Sequence, residues 1–569
     1  MRHKIKQTAW ALIFCLGIVS ARLWWINCLC GADFIAVAQN QRLSAVTEYE
    51  YQRGDILDRN GESFTNRAER VLLVFPSLLK AANEDAASAQ QYLTDLLADF
   101  GLEPAPAAKS LAAELAGETP FVLARGLSEQ QQQAIGERIS GQAGIFAAVY
   151  RPSYAENSPA AHLIGYVGRS TPAEEAALKK ADAPNPEYCG KSGLEQQYDA
   201  YLRGRASARL AAAVDDKGRQ AADNLRELAP NSRDTSLNVR LTLDYSYQQI
   251  CEAAMQDKNG AAVLMDVKNG DVLALVSSPG FNQSVGQPPN EGDNYLNKAL
   301  SYYPPASVFK LVLTLAALEE GVSIDEEEFI CRGSITLPNG HSVKCWQSKG
   351  HGAEDLSTAL GNSCNPYFIT LGQRLGGGLI REYAWRLGLT EQILRGFEVN
   401  SADMLDFNHN VPADVANVSI GEKGIRATPL MLARLLATVA ADGKMPEPRL
   451  VISLETAAGK IIRRFAEAEP RQVISQKSAR ALAVMLTKAV SDGTARPVQS
   501  DLIGIGGKTG TSQNFGVWFA GFFPTDEPRW AMSVYIADGE NGGSDAGSVC
   551  REVAEKLALL ENIARKSKV

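Results

Sequence analysis

Tyr303-Pro304-Pro305-Ala306-Ser307-Val308-Phe309-Lys310-Leu311-Val312-Leu313-Thr314-Leu315 is the segment on which the interpretation of this 569-residue chain rests. Prolines followed by an apolar run mark a helix start, and Gly321 is a helix-stop residue, so a helix is expected over 307–320. Ser307 and Lys310 are three residues apart and share one face of that helix. A hydroxyl is a poor nucleophile until a base removes its proton. A lysine serves as that base only where burial or a second cation depresses its pKa. The apolar helix offers burial, Lys508 offers the cation, and the helix N-terminus favours negative charge developing at Ser307.

Two later motifs complete the set. Ser363-Cys364-Asn365 follows, then Lys508-Thr509-Gly510-Thr511, giving S-x-x-K, S-x-N and K-T-G in that order. Each pattern alone is weak. Ser77-Leu78-Leu79-Lys80 is a second S-x-x-K, Ser236-Leu237-Asn238 and Ser512-Gln513-Asn514 are further S-x-N matches, and Lys191-Ser192-Gly193 is a variant of the third motif. No S-x-N lies between Lys80 and Lys191, so the early set stays incomplete, and Ser77 reads as a helix cap beside a solvated lysine. Ser363 and Asn365 fall at a turn after the helical Leu356–Leu360 segment. There a hydroxyl between two lysines relays a proton, and Asn365 offers a donor and an acceptor to a substrate amide. Lys508 is expected on a strand edge. Gly506, Gly507 and Gly510 clear the backbone for substrate. Lys508, Thr509 and Thr511 suit a carboxylate, and a backbone N–H here, with that of Ser307, makes an oxyanion hole. Standing alone, Ser363 would be a polar cap and residues 505–511 a glycine-rich turn.

Length suggests roughly two to four domains. Hydrophobic residues make up 45%, enough for large cores, and a net charge of −8 argues against a nucleic-acid binder. Arg2, Lys4 and Lys6 precede an apolar run from Thr8 to Ala21 that continues through Ile26, close to the roughly 20 residues of a spanning helix. Trp24 and Trp25 fall where an aromatic belt belongs. With no small-x-small cleavage site, an uncleaved anchor is expected, with a cytoplasmic N-terminus and an external body. The nine cysteines are odd in number and scattered, with no C-x-x-C, and read as neither a disulfide framework nor a zinc site. Around the Pro338-Asn339-Gly340 turn, Cys331 and Cys345 are either bridged or two free thiols. No metal-ligand set and no cofactor motif is read.

The expected fold is α+β. Residues 1–30 form a short tail and anchor, 31–235 a stalk domain, and 236–569 the catalytic domain. In the stalk, Arg53–Gly61 looks like strand and turn, 79–143 like helices, and Ala161–Gly168 like a short strand. Beyond 235, Val239–Asp244 alternates like a strand. Gly260–Val267 and Val272–Val276 read as a hairpin joined through Asn269-Gly270. Helices are expected over 429–442 and 546–564, and strands over Val517–Phe522 and Trp530–Ile536. Hairpin, helices, then strands implies an antiparallel sheet flanked by helices.

With these residues placed, the chain resembles class B penicillin-binding proteins, the monofunctional peptidoglycan D,D-transpeptidases. Further motifs carry the resemblance: Arg53-Gly54-x-Ile56-x-Asp58-Arg59-Asn60-Gly61, and Gly190-x-x-Gly193-Leu194-Glu195-x-x-Tyr198-Asp199-x-x-Leu202-x-Gly204. So do Gly350-His351-Gly352 and Thr428-Pro429-Leu430. Ala306 stands where glycine is common, and Ser419-Ile420-Gly421-Glu422-Lys423-Gly424 carries a charged pair where Gln-Gly is common. The resemblance implies a penicillin-binding dimerisation or pedestal domain over 31–235. It implies Ser307 as acylated nucleophile, Lys310 as base, Ser363 as relay and Asn365 as donor-peptide contact. Lys508, Thr509, Gly510 and Thr511 then hold the terminal carboxylate. Stem peptides would be substrates and β-lactams inhibitors, on the extracytoplasmic side of a bacterial membrane, beside a polytopic SEDS-type glycosyltransferase. Other functions with the same motifs are a β-lactamase, a penicillin sensor, or a scaffold for division or sporulation complexes.

Overall fold

The computed structural model describes most of residues 45–567. Nearly all of 1–44, residues 568 and 569, and short stretches, the longest being 284–294 and 229–235, lie outside the description. The expected anchor falls almost wholly outside it. Among the described residues, no helix is long and apolar enough to cross a membrane.

The chain forms two compact units, and both are discontinuous in sequence. The smaller comprises 1–52, 67–153 and 205–234. The larger comprises 53–66, 154–204 and 235–569, so two segments before residue 235 are built into the unit that carries the later motifs.

The smaller unit contains a three-stranded antiparallel sheet in the order Phe121–Ala124, Glu69–Val74, Ile145–Tyr150. Strand residues Leu72 and Val74 pack with Leu93, Leu96 and Ile135 of the helices Ala86–Asp99 and Glu129–Arg138. Each of these helices is capped by a side chain, Asp85 and Ser128, which satisfies otherwise orphaned N–H groups. The helical reading of 79–143 therefore needs correction at Phe121–Ala124, whose four residues are all buried. A four-residue apolar run is ambiguous by period alone. Ser77 lies exposed inside the helix Pro76–Ala82 rather than at its cap, and Lys80 Nζ donates to Gly117 O at 3.3 Å.

In the larger unit, α1 (Tyr245–Ala254) starts where Asp244 accepts N–H bonds from Ser246 and Tyr247. β1 (Gly260–Asp266) and β2 (Val272–Ser278) form the expected antiparallel hairpin. The Asp266 carboxylate accepts from the N–H groups of Lys268 and Asn269, and Gly270 takes a φ of 77° that suits only glycine well. Next come α2 (Lys310–Glu320), α3 (Asn365–Arg386), α4 (Pro429–Ala440) and α5 (Gln476–Ser491). The chain returns through β3 (Gly506–Ser512), β4 (Gly516–Phe523) and β5 (Trp530–Ile536), and ends in α6 (Gly547–Ser567).

The five strands make one antiparallel sheet in the order β2-β1-β5-β4-β3. On one face, Leu264, Phe519, Met532 and Val534 pack with Cys251 and Met255 of the α1 region and Val553 and Leu557 of α6. On the other, Phe522 and Tyr535 meet a core that includes Leu311 and Leu315 of α2, Phe368 and Leu371 of α3, and Met431 and Leu435 of α4. Burying each such side chain contributes about 1.5–3 kcal/mol. The helix predicted over 307–320 begins one turn late: Ala306–Phe309 is a 3₁₀ turn, and α2 proper runs from Lys310 to a stop at Gly321, φ 66°.

Ala161–Gly168 is corrected too. Ala161–Ile164 is a short helix and Val167–Arg169 the strand. Ala160 at φ 58° and Gly165 at φ 80° bound the helix, and backbone of that hand is not legible from apolar spacing. The two stalk signatures meet inside the larger unit. Arg53 pairs with Glu195 (2.8 Å) and Asp199 (2.9 Å), and Tyr154 Oη donates to Glu195 at 2.9 Å.

Candidate active site

The turn bearing Ser307 is held from three sides. Tyr303 exchanges backbone hydrogen bonds with Ala427 (3.0 and 2.9 Å). The Trp518 indole of β4 donates to Pro304 O at 2.9 Å. Ala306 N–H donates to Gly421 O at 3.1 Å. The Tyr303 ring also stacks on Tyr535 of β5 at 4.1 Å. Ala306 has φ 47°, left-handed backbone that costs an L-residue about 1–2 kcal/mol. This is the position at which the resemblance leads one to expect glycine. Gly421 approaches so closely that a Cβ there would lie 2.0 Å from Ala306 O.

Lys310 is fully buried. Its Nζ donates to Asn365 Oδ1 (2.7 Å), Ser363 O (2.9 Å) and Ser363 Oγ (3.3 Å), so the first two motifs touch directly. These contacts use the three donors of an ammonium. Burial holds Lys310 down at about 8, against the pull of Cys364, Cys345, Glu422 and Glu354. Ser363 is itself at φ 55°, between the helix Leu356–Gly361 and the start of α3 at Asn365. Strained backbone thus brackets the site at Ala306 and Ser363, and such strain concentrates where surrounding packing imposes a geometry.

The third motif lies on β3, at the edge of the sheet as expected. Lys508 is fully buried, donates to Thr509 O at 2.9 Å, and is held well below the usual lysine range by burial and then by the charge of Lys310. Thr509 Oγ1 lies 3.0 Å from Thr494 Oγ1. Thr511 is exposed, and its Oγ1 accepts from Gly542 N–H at 3.2 Å. A Cβ on Gly510 would come within 3.2 Å of both Pro305 O and Val308 Cγ2, so β3 lies against the nucleophile turn. The half-buried Ser307 is carried on that turn, one helical step from Lys310.

Sequence reasoning missed four participants. Thr494 links Thr509 to Gly361 O (3.2 Å). Glu422 accepts from Ser512 Oγ at 2.9 Å, and burial raises its pKa. Its only signal was the departure from Gln-Gly in that loop. Trp518 supports Pro304. Cys364 is the fourth, and the fold brings it beside three residues that are scattered in the sequence. Cys331, Cys345, His351 and Cys364 bring their sulfur and nitrogen atoms within 4.8 Å of one another. Cys331 and Cys345 are not bridged; both are free and buried.

Residues 260–556 match the family profile for the penicillin binding protein transpeptidase domain, and residues 49–234 that for the penicillin-binding protein dimerisation domain. The chain is a class B penicillin-binding protein. It is 26% identical over 545 residues to stage V sporulation protein D of Bacillus subtilis, covering 91% of this chain and 79% of the relative. It is 24% identical to the peptidoglycan D,D-transpeptidase MrdA of Acinetobacter baumannii, covering 96% and 86%. Among solved structures, the imipenem acyl-enzyme complex of penicillin-binding protein A from M. tuberculosis is similar, with TM-score 0.53 and 28% identity over 58% of this chain and 81% of that one. A structure described as a peptidoglycan synthase complex coordinating polymerization and crosslinking shares the fold, with TM-score 0.61 and 24% identity over 97% of both chains. This penicillin-binding protein thus has the α+β architecture expected of its class.

Proposed function

We propose that this protein cross-links peptidoglycan as a serine D,D-transpeptidase, through an acyl-enzyme that β-lactams also form. The observation that carries the reading is the contact of Lys310 Nζ with Ser363 and Asn365, one turn from Ser307. In this reading the neutral Lys310 amine takes the Ser307 proton as Oγ attacks the carbonyl of the penultimate D-Ala. Backbone N–H groups of Ser307 and Thr511 receive the oxyanion. Electrostatic stabilisation of that kind is usually a large catalytic contribution. The C–N bond breaks, and the departing D-Ala amine takes a proton from Lys310 through Ser363. A second strand's amine then attacks the ester and returns the proton to Ser307. Asn365 holds the donor amide, and Lys508, Thr509, Gly510 and Thr511 hold the terminal carboxylate.

The apolar run Thr8–Ile26, with its basic leader, supports a single-pass anchor with the body outside the cytoplasmic membrane. Residues 31–235 then provide the pedestal, and a polytopic SEDS-type glycosyltransferase is the natural supplier of the strands to be linked. Labelling with a fluorescent penicillin tests the catalytic assignment. Wild type should label at a single serine and Ser307→Ala should not. Undiminished labelling of that variant would overturn it, and rapid release of hydrolysed drug would point to a β-lactamase instead.

A further inference from the structure

We propose that the Glu422 carboxylate receives the primary ammonium of the incoming strand and so selects amines over water as acceptors for the acyl-enzyme. The inference rests on the transpeptidase reading and names the chemistry of its second substrate. Glu422 stands where the resemblance leads one to expect glutamine, so a neutral amide is replaced by a group that can carry a full charge.

The loop that carries Glu422 joins two walls of the site. On one side, Gly421 O accepts from the N–H of Ala306, directly before Ser307, at 3.1 Å. On the other, Glu422 Oε2 accepts from the hydroxyl of Ser512, directly after Thr511, at 2.9 Å. Asp406 N–H donates to Gly424 O at 3.0 Å and Glu422 N–H to Asn417 O at 3.3 Å, so the backbone of the loop is held without help from substrate. The Glu422 side chain is half-buried, and it lies near enough to Lys310 for each charge to act on the other. Ser512 occupies one carboxylate oxygen. Among the described residues the other, Oε1, makes no hydrogen bond, and it is not sealed from solvent. Glu354 also acts on Lys310, but it is 1% exposed and its Oε1 accepts from Asn362 at 2.8 Å. Glu422 is therefore the carboxylate of the pair that a substrate can reach.

Burial works against the ionised form of Glu422, while Ser512, Lys310 and Lys423 favour it. Lys423 is exposed, so its charge is screened by water and salt. Lys310 changes charge during the reaction. Once the departing D-Ala amine has taken its proton, Lys310 is neutral and Glu422 has lost its buried cation. An arriving ammonium replaces that cation when an acceptor is needed, whereas water brings no charge and gains nothing there. The ammonium then gives one proton to Lys310. Its nitrogen forms the new C–N bond as the C–Oγ bond breaks, and a second proton returns to Ser307. Lys310 releases the first proton to solvent, which restores the neutral base.

The test uses the full chain in detergent with a donor peptide ending in D-Ala-D-Ala. Glu422→Gln keeps an acceptor for Ser512 and removes only the charge. At pH 7 an acceptor peptide with a primary amine is an ammonium, whereas hydroxylamine is uncharged. The variant should lower the aminolysis-to-hydrolysis ratio for the peptide amine by about tenfold or more, the worth of one charge-assisted hydrogen bond, and for hydroxylamine by less than about twofold. Glu422→Asp should restore part of the peptide-amine ratio. Both products arise from one acyl-enzyme, so the ratio does not depend on the acylation rate. Equal losses with the two acceptors, or no loss with the peptide amine, would overturn the proposal. So would a loss confined to acylation by a donor with a free side-chain amine and absent once that amine is acetylated, since the ammonium would then belong to the donor. Ligand-observed NMR of the acceptor peptide on Ser307→Ala reads binding without turnover, and adding Glu422→Gln should weaken it about tenfold. Binding indifferent to Glu422 would overturn the ammonium seat. Glu422-dependent binding in a protein that never forms an acyl-enzyme would count against the transpeptidase reading alone and leave the seat standing.

Discussion

Arg53→Met tests how the larger unit is held together. The Arg53 side chain is 7% exposed, and its guanidinium meets Glu195, 2% exposed, and Asp199, 16% exposed. Glu195 also accepts from Tyr154 Oη, and Asp199 pairs with Arg203. Methionine keeps most of the volume, so the loss falls on the charge. Removing one member of a buried ion pair costs about 3–5 kcal/mol, because the partner's charge stays buried and uncompensated. For the roughly 400 residues of this unit, an unfolding entropy near 2.1 cal/mol/K per residue turns that loss into a fall in Tm of about 4–6 °C. Differential scanning calorimetry reads it directly. Adding Glu195→Gln should cost less than the sum of the single losses, because the two groups are coupled by contact. A fall below about 1 °C for Arg53→Met, or strict additivity in the double variant, would refute the assignment of this network as structural.

Three other outcomes follow from the site. Penicillin acylation should rise with pH, since the base must be unprotonated and Lys310 sits at about 8 among Lys508, Glu422, Glu354, Cys345 and Cys364. The second-order rate should climb about tenfold from pH 6 to 7 and level off above about pH 9, and a flat profile between pH 6 and 8 would exclude Lys310 as base. Trp518→Phe removes the donor to Pro304 O from a fully buried position. It should cost about 2–4 kcal/mol in denaturant unfolding, combining an orphaned acceptor with lost ring volume, and should slow acylation. Gly421→Ala combines a φ of 71° with a Cβ 2.0 Å from Ala306 O. The nucleophile turn must shift, so acylation should fall at least tenfold, and wild-type labelling kinetics would contradict the packing described.

The hairpin, the nucleophile helix, the edge strand and the terminal helix were all legible because each is local: a period, an Asn-Gly turn, a proline start. The three motifs were legible because their order is unusual even though each is common. What escaped was non-local or of unusual hand. The strand Phe121–Ala124 sits in helical composition and is a strand because it pairs with Glu69–Val74. Ala161–Ile164 is bounded by left-handed residues that no apolar pattern announces. Thr494 reaches Thr509 from the turn after α5, and nothing in its neighbours marks it. Cys331, Cys345, His351 and Cys364 are separated by irregular gaps, so only folding reveals them as neighbours.

An edge strand such as β3 ordinarily invites another chain to add on and aggregate. Lys508 lies fully buried on that edge, its amine held well below the usual lysine range by burial and then by Lys310, so protonating it there calls for an anion beside it. The residue that would greet a substrate carboxylate thereby also turns away ordinary polypeptide. An internal peptide segment brings no terminal anion to neutralise the ammonium, whereas a chain that ends there does. Under the proposed function, this edge would accept peptides that end there in a carboxylate and exclude chains that run on.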